Sequence, residues 1–410
     1  MDIEPCGLHN IGNTCYMNSV LQLLLQSPVF VSFLLKKDDK SNCDTYLYKA
    51  SINKVAIRER KRLKLSEDDT VSINKSDIER NIRKSITVQL SNIITECYNN
   101  NEIIRPSKFK KRCDKLLPTF QGYRQHDAHE FLIQLLDLII EETGIETDSK
   151  LSNLSKPIKK YFKIKGIIME LDDNDPQKAD LSNRLVEYCN KNKNILNKVD
   201  GLNYYIELYK NKYNSLSYSL YTIYNTHFKC SNCNNILNKY ESNTILTLEL
   251  RDDLYESFNT FTEQEIIPDF NCSNCKENHP NIKKCSLWRF PITLFIHLKR
   301  FKYTSRGKYV KDNSPIKIPK ILNLSKYCDK LNVFNESIIP MYELGGISHH
   351  NGGINCGHYF ADCKAINSMQ WYNLNDSFVK KYNQSPFIQS ESPFIQSESA
   401  YILRYDLLVI

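Results

Sequence analysis

No run of apolar residues in this chain approaches the roughly 18 needed to cross a bilayer, so no segment reads as a membrane span. The opening Met1-Asp2-Ile3-Glu4-Pro5 lacks the basic and apolar regions of a secretory signal. A soluble protein of the cytoplasm or nucleus is expected. Charge of one sign is not in large excess either: +8 over 410 residues permits an acidic partner without demanding one. The basic stretch 108–112 contains a single aromatic, too little to indicate nucleic-acid binding. Internal repetition is limited to a tandem duplication, 385–391 and 392–398, far below a solenoid period and read as a lengthened loop. What is present is a 41% hydrophobic chain, long enough for one large or several ordinary domains with a real core.

Cysteine is the residue in supply, with fourteen copies. In a long chain without a secretion signal the expected uses are metal binding, catalysis and burial rather than disulfides. Cys230-Ser231-Asn232-Cys233 and Cys272-Ser273-Asn274-Cys275 form two C-x2-C knuckles. Such a pair can close a tetrahedral thiolate site around one zinc ion, and because four thiolates leave no open position the ion would be structural. Cys285 and His227 lie nearby in sequence but belong to neither knuckle.

Cys15 stands where the polar, Gly-containing loop 7–14 runs into a helix. Met17, Val20, Leu21, Leu24 and Leu25 recur at helical spacing, and Pro28 stops the run. A thiol in the first turn meets the positive end of the helix dipole, which favours thiolate. Asn10, five residues upstream, offers an amide to steady an oxyanion. A cysteine nucleophile needs a base, and most of the nine histidines have ordinary explanations. His297 reads as a polar tooth on the less buried face of the strand 292–299, His126 and His129 belong to a helix start, and His279 precedes Pro280.

His358 follows the Gly-rich stretch 349–357 and begins a strand. A second strand runs over 371–376. A hairpin closing between 366 and 367 places Asn375 directly opposite His358, whereas a one-residue bulge brings in Asp376 instead. Cys15, His358 and Asn375 then supply nucleophile, base and orienting group. Asp127 and Glu130 open a helix carrying Phe131, Leu132, Leu135, Leu136 and Ile139, with Gly144 at its end. Their spacing is that of a capping box.

The segments around Cys15, Gly357-His358-Tyr359 and 371–376 resemble the signature boxes of the ubiquitin-specific proteases. Further matches are 125–132, the paired knuckles, 296–301 and 400–405, all in that family's order. The resemblance implies an α+β fold: a papain-like cysteine protease core with a helical thumb, a palm sheet and zinc-binding β fingers. It assigns the thumb to about 1–165, the fingers to about 215–290 and the palm to about 290–410, with surface insertions within 36–105 and 148–215. By the same resemblance Cys15 is the nucleophile, His358 the base, Asn375 the third member and Asn10 the oxyanion residue, with Asp376 able to share the role of Asn375. Asp127 and Glu130 would pair with arginines of ubiquitin's tail, and Tyr359 would help to wall the channel for Gly-Gly.

The implied activity is thiol-dependent hydrolysis of the bond after ubiquitin's C-terminal glycine, through a thioester and without a catalytic cofactor, by a monomer acting on ubiquitinated proteins. The rival readings are a protease for another ubiquitin-like modifier and a catalytically silent ubiquitin-binding protein. Departures are also visible: His126 and His129 stand where the family commonly has glutamine, and Asn375 cannot offer a charge to an imidazolium. The run Arg58-Glu59-Arg60-Lys61-Arg62-Leu63-Lys64 is either a nuclear signal or a solvated face.

Overall fold

The computed structural model describes residues 5–35, 43–64, 66, 70–99, 103–147, 154–304, 306–331, 339–353, 356–383 and 392–408. The apolar spacing near the start forms α1 (Cys15–Leu25), and Pro28 opens α2 (Pro28–Leu35) at 83° to it. All of α1 is buried, including Asn18, Ser19 and Gln22, because it is enclosed by other helices on one side and a large sheet on the other. Around it pack α3 (Cys43–Leu63), α4 (Lys75–Arg83), α5 (Ile86–Asn99), α6 (Ser107–Leu116) and α7 (Ala128–Thr143). Three helices follow, α8 (Lys156–Glu170), α9 (Pro176–Lys191) and α10 (Lys193–Tyr209), then α11 (Ser215–Leu220) and, farther on, α12 (Leu254–Thr262).

The strands come in two main sheets. In chain order they are β1 (Thr222–Cys230), β2 (Ile236–Asn243), β3 (Ile245–Glu249), β4 (Glu265–Asn271), β5 (Asn278–Arg289), β6 (Thr293–Lys299), β7 (Phe301–Tyr303), β8 (Tyr309–Lys311), β9 (Ile316–Pro319), β10 (Ile321–Asn323), β11 (Met341–Gly352), β12 (Gly357–Lys364), β13 (Trp371–Asn375), β14 (Phe378–Lys381), β15 (Phe394–Ser397) and β16 (Ala400–Leu407). The larger sheet has the order β14-β13-β12-β11-β16-β6-β3, with β10 paired to β11. The smaller is an antiparallel ribbon, β2-β1-β5-β4, with the cysteine knuckles at its tip.

Several expectations change. Within 36–105, α5 is no surface insertion: Ile86, Leu90, Ile93, Ile94 and Cys97 are buried in the same core as α1, at a helical spacing concealed by the polar sequence around it. Within 148–215, Ile158, Val199 and Leu202 pack on Trp288 of β5, so α8 and α10 cover the ribbon. Of the duplicated segment, 385–391 lies outside the described residues, while the second copy contributes β15, paired with β9. The basic run 58–64 continues α3 and is largely solvated. His297 is buried, because β6 lies between β16 and β3 with both faces covered. Cys6 and Cys97 are paired as a disulfide, with Cα atoms 5.6 Å apart, and the other twelve cysteines are free.

Arg404 joins the helical half to the sheet. Its buried guanidinium donates to Leu23 O of α1 (2.7 Å), Gly345 O of β11 (2.9 Å) and the Asp406 carboxylate (3.0 Å). Arg404→Met would leave two backbone carbonyls unpaired at the junction, at about 1–3 kcal/mol each. A loss of at least about 2 kcal/mol in unfolding free energy by urea titration is expected.

Candidate active site

Thr14 stands at the N-cap position of α1, without a side-chain capping bond, and Cys15 is the first residue of the helix, so the predicted position at a helix start holds. Burial raises the Cys15 thiol above its ordinary pKa, against the backbone N–H of Tyr359, which favours the thiolate; the charge of Asp376 raises it further, and the backbone groups of Tyr16 and Cys15 favour the thiolate. Tyr359 follows His358 on β12, the strand against which α1 packs.

On β12, His358 Nε2 lies 2.6 Å from Asn375 Oδ1. An amide oxygen only accepts, so Nε2 carries the proton and Nδ1 is left as the basic nitrogen. The pairing that brings them together differs from the spacing argument. β12 and β13 pair Ala361 with Leu374 and Asp362 with Asn373, and the turn is closed by Ala365 N–H donating to Gln370 O (2.8 Å). Continued, this register sets Asn375 against Phe360, two residues from the expected partner. The discrepancy arises because the hairpin turns about a midpoint between Asn367 and Ser368, one residue later than the spacing argument places it, with Met369 in the left-handed region. A shift of two keeps every side chain on its face, so His358 and Asn375 meet as diagonal neighbours.

Asp376 does not serve His358. Its carboxylate accepts from Asn10 Nδ2 (3.0 Å) and Asn18 Nδ2 (2.7 Å), because the chain turns at Asp376, whose φ of 50° redirects the side chain toward the loop before α1. Asn10 is held at both ends: its Oδ1 accepts from Gly12 N–H (3.1 Å), Thr14 N–H (3.1 Å) and the Thr14 hydroxyl (3.3 Å). These three donors fix which end of the amide is nitrogen. Nδ2 spends one hydrogen on Asp376 and keeps a second. Asn18, one turn along α1 and buried, also donates to Leu8 O and His9 O. Its signal in the sequence was a polar residue three positions from Cys15 in an apolar helix.

At α7, Asp127 is the N-cap: Oδ1 accepts from His129 N–H (2.7 Å) and Glu130 N–H (3.1 Å), and Oδ2 accepts the Tyr401 hydroxyl. Glu130 does not reach back to complete a capping box. It is exposed, with no hydrogen-bond or ion-pair partner among the described residues, and partial burial and the Asp127 charge raise its pKa. Tyr359, which is buried, lines a cleft of about 160 Å³ with Gln125, Asp127, Phe301, Tyr309 and His350. Burial and Lys311 push the His350 imidazole down to about 4, so it is neutral at pH 7. A Cβ at Gly357 would overlap the His350 ring, which explains the glycine before His358. Of the other histidines, His129 stacks on His297 with centroids 3.6 Å apart, and His126 packs edge-on against Tyr16 and Phe120.

The four knuckle cysteines converge at the ribbon tip, their ligand atoms within 4.8 Å of one another. The two turns are built alike. Cys230 N–H donates to Asn235 O and Asn234 N–H returns to Cys230 O, while Cys272 N–H donates to Glu277 O and Lys276 N–H returns to Cys272 O. Asn234 and Lys276 both take positive φ. Sulfurs are 3.6 Å apart for Cys233–Cys272 and 3.9 Å for Cys230–Cys275. A tetrahedron with metal–sulfur bonds of about 2.3 Å has edges of about 3.8 Å, so the donor set fits a metal ion. His227 and Cys285 are not part of it: His227 pairs with Asp329 and Cys285 is buried along β5.

The model of the ubiquitin carboxyl-terminal hydrolase family matches residues 6–405. A protein of Acanthamoeba polyphaga mimivirus described as "Probable ubiquitin carboxyl-terminal hydrolase" is 24% identical over 93% of this chain and 87% of its own length. Ubiquitin carboxyl-terminal hydrolase 8 of Saccharomyces cerevisiae is 26% identical over 94% of this chain and 68% of its own. Among solved structures, the SAGA Ubp8/Sgf11/Sus1/Sgf73 DUB module bound to ubiquitin aldehyde contains a chain of like fold, with a TM-score of 0.61 at 21% identity, covering 99% of this chain and 70% of that one. With nearly its whole length matched by the family model, the chain belongs to the ubiquitin carboxyl-terminal hydrolases, a family of thiol-dependent deubiquitinases.

Proposed function

We infer that Cys15, His358 and Asn375 are the triad with which this chain cleaves the bond after the C-terminal glycine of ubiquitin. The observation that carries this reading is the 2.6 Å contact of His358 Nε2 with Asn375 Oδ1, on the strand against which the helix headed by Cys15 packs. Cys15 gives its proton to His358 Nδ1 and attacks the glycine carbonyl. The free hydrogen of Asn10 Nδ2 and the backbone N–H of Cys15 receive the oxyanion. The imidazolium then protonates the leaving lysine amine, a thioester remains, and water deprotonated by His358 releases ubiquitin and the thiol. Asp376 acts through Asn10, holding its amide in place. Glu130, exposed and without a partner, is suited to an arginine of the ubiquitin tail, whereas Asp127 shapes the same edge while capping α7. Tyr359 walls the cleft that would admit Gly-Gly.

In this reading the helices to about 165 form the thumb, the ribbon of about 215–290 the fingers and the large sheet of about 290–410 the palm. The metal is one structural zinc held by Cys230, Cys233, Cys272 and Cys275, cross-linking two turns in a ribbon too thin to bury a core of its own. A compartment that keeps these thiols reduced, cytoplasm or nucleus, suits the set.

Ubiquitin carrying a C-terminal electrophile should form a one-to-one adduct with the chain, absent in Cys15→Ala, by intact mass. An adduct only with another modifier would overturn the substrate. Asp376→Asn removes a negative charge near the sulfur and so lowers the Cys15 pKa; the midpoint of iodoacetamide alkylation against pH should move to lower pH. In the same variant kcat should fall, by up to about a hundredfold as the oxyanion donor loosens, with KM little changed. Elemental analysis should find one zinc per chain, and chelation should render 222–289 sensitive to protease. Metal-free protein with unchanged resistance would refute the zinc assignment.

A further inference from the structure

The sheet order places the catalytic pair between two unlike flanks. Toward β11 lies the cleft lined by His350, Tyr359, Phe301, Tyr309 and Asp127. Toward the opposite edge lie β13 and β14, and β14 is a free edge strand exposed along its whole length. Its first residue, Phe378, is paired directly with Asn375. At 79% exposure it is the most exposed large apolar side chain among the described residues, and Val379 beside it is also exposed. Lys380 and Lys381 complete the strand with positive charge.

This edge is held rigidly where it meets the catalytic residues. Leu8 N–H donates to Asp376 O (2.8 Å), Asn10 to the Asp376 carboxylate, and Ser377 Oγ lies 3.3 Å from His9 Nδ1. Gly7 packs so closely that a Cβ there would lie 2.6 Å from Ser377 O. An aromatic side chain presented from a pinned turn loses little entropy on binding, the property that makes aromatics effective interface anchors. Scattered exposed apolar residues are ordinary. An exposed phenylalanine on a strand edge, paired with Asn375 itself, is not, since such edges invite association.

We propose that Phe378, with Lys380 on the same face of β14, is the docking surface for the protein that carries the ubiquitinated lysine. This rests on the deubiquitinase reading. If the ubiquitin tail occupies the cleft on the β11 side, the amine leaves on the other, and the folded protein attached to it must lie against β14. Phe378 contacts its surface next to the lysine, and Lys380 favours an acidic rim on that surface. Phe378 is then a specificity residue for the leaving group and has no part in bond cleavage.

Two substrates separate these roles: ubiquitin with a small C-terminal aminocoumarin amide, and ubiquitin joined by an isopeptide bond to a second ubiquitin, as a folded leaving group. In Phe378→Ala, kcat/KM for the isopeptide substrate should fall by about fivefold or more, the effect of truncating an interface anchor, with kcat/KM for the aminocoumarin substrate within about twofold of wild type. Phe378→Tyr should restore most of the loss. Equal losses on both substrates, or no loss on either, would overturn the proposal. A wild-type chain inactive toward both substrates would instead refute the deubiquitinase reading on which it rests.

Discussion

A helix buried on every side needs partners for its polar groups, and the amide N–H groups of Asn18 and Gln22 in α1 find them. Asn18 donates to Leu8 O, His9 O and Asp376, Gln22 donates to Cys6 O, and Ser19 meets Ser348 of β11. Arg404 of β16 closes the far end at Leu23 O. Each of these groups would cost on the order of 1–3 kcal/mol if left unpaired, so a rotation or slide of α1 against the sheet is strongly opposed. Cys15 is the first residue of that helix. The position of the sulfur against β12 therefore follows from hydrogen bonds made along the helix by residues with no chemistry of their own.

The same network sets the electrostatics. Asp376 binds Asn10 and Asn18 and thereby stabilises the loop, yet its charge opposes the thiolate of Cys15. His350 is kept neutral nearby by burial and by Lys311, whose Nζ is bound to His350 O and Gly352 O. The cleft thus carries the Asp127 carboxylate beside a neutral His350.

The cysteine cluster is distant in sequence from all of this but joined to it by long strands. β1 and β5 run from the knuckles to Ile223 and Arg289 at the base of the ribbon. There Arg289 donates to Tyr221 O and Tyr218 O, and His227 and Ser286 grip Asp329. A ribbon with few buried residues at its tip relies on these pairs at its base, and the converging cysteines at the tip offer a metal-binding set.

What sequence alone determined were features set by local spacing: the helix behind Cys15, the two knuckles, the cap at Asp127, and the presence of a hairpin after His358. These depend on residues a few positions apart, whose geometry is fixed by backbone periodicity. Even the misplaced register left His358 and Asn375 on one face, since side chains alternate with period two. Tertiary structure alone decided how distant segments share atoms. It gave Asp376 to Asn10 rather than to His358, freed Glu130 from the capping box, and occupied both oxygens of Asp127. It also buried His297 against His129 and took α5 from an apparently polar stretch into the core. Each of these outcomes depends on which long-range partner reaches a polar atom first, and that competition is settled by packing rather than by pattern.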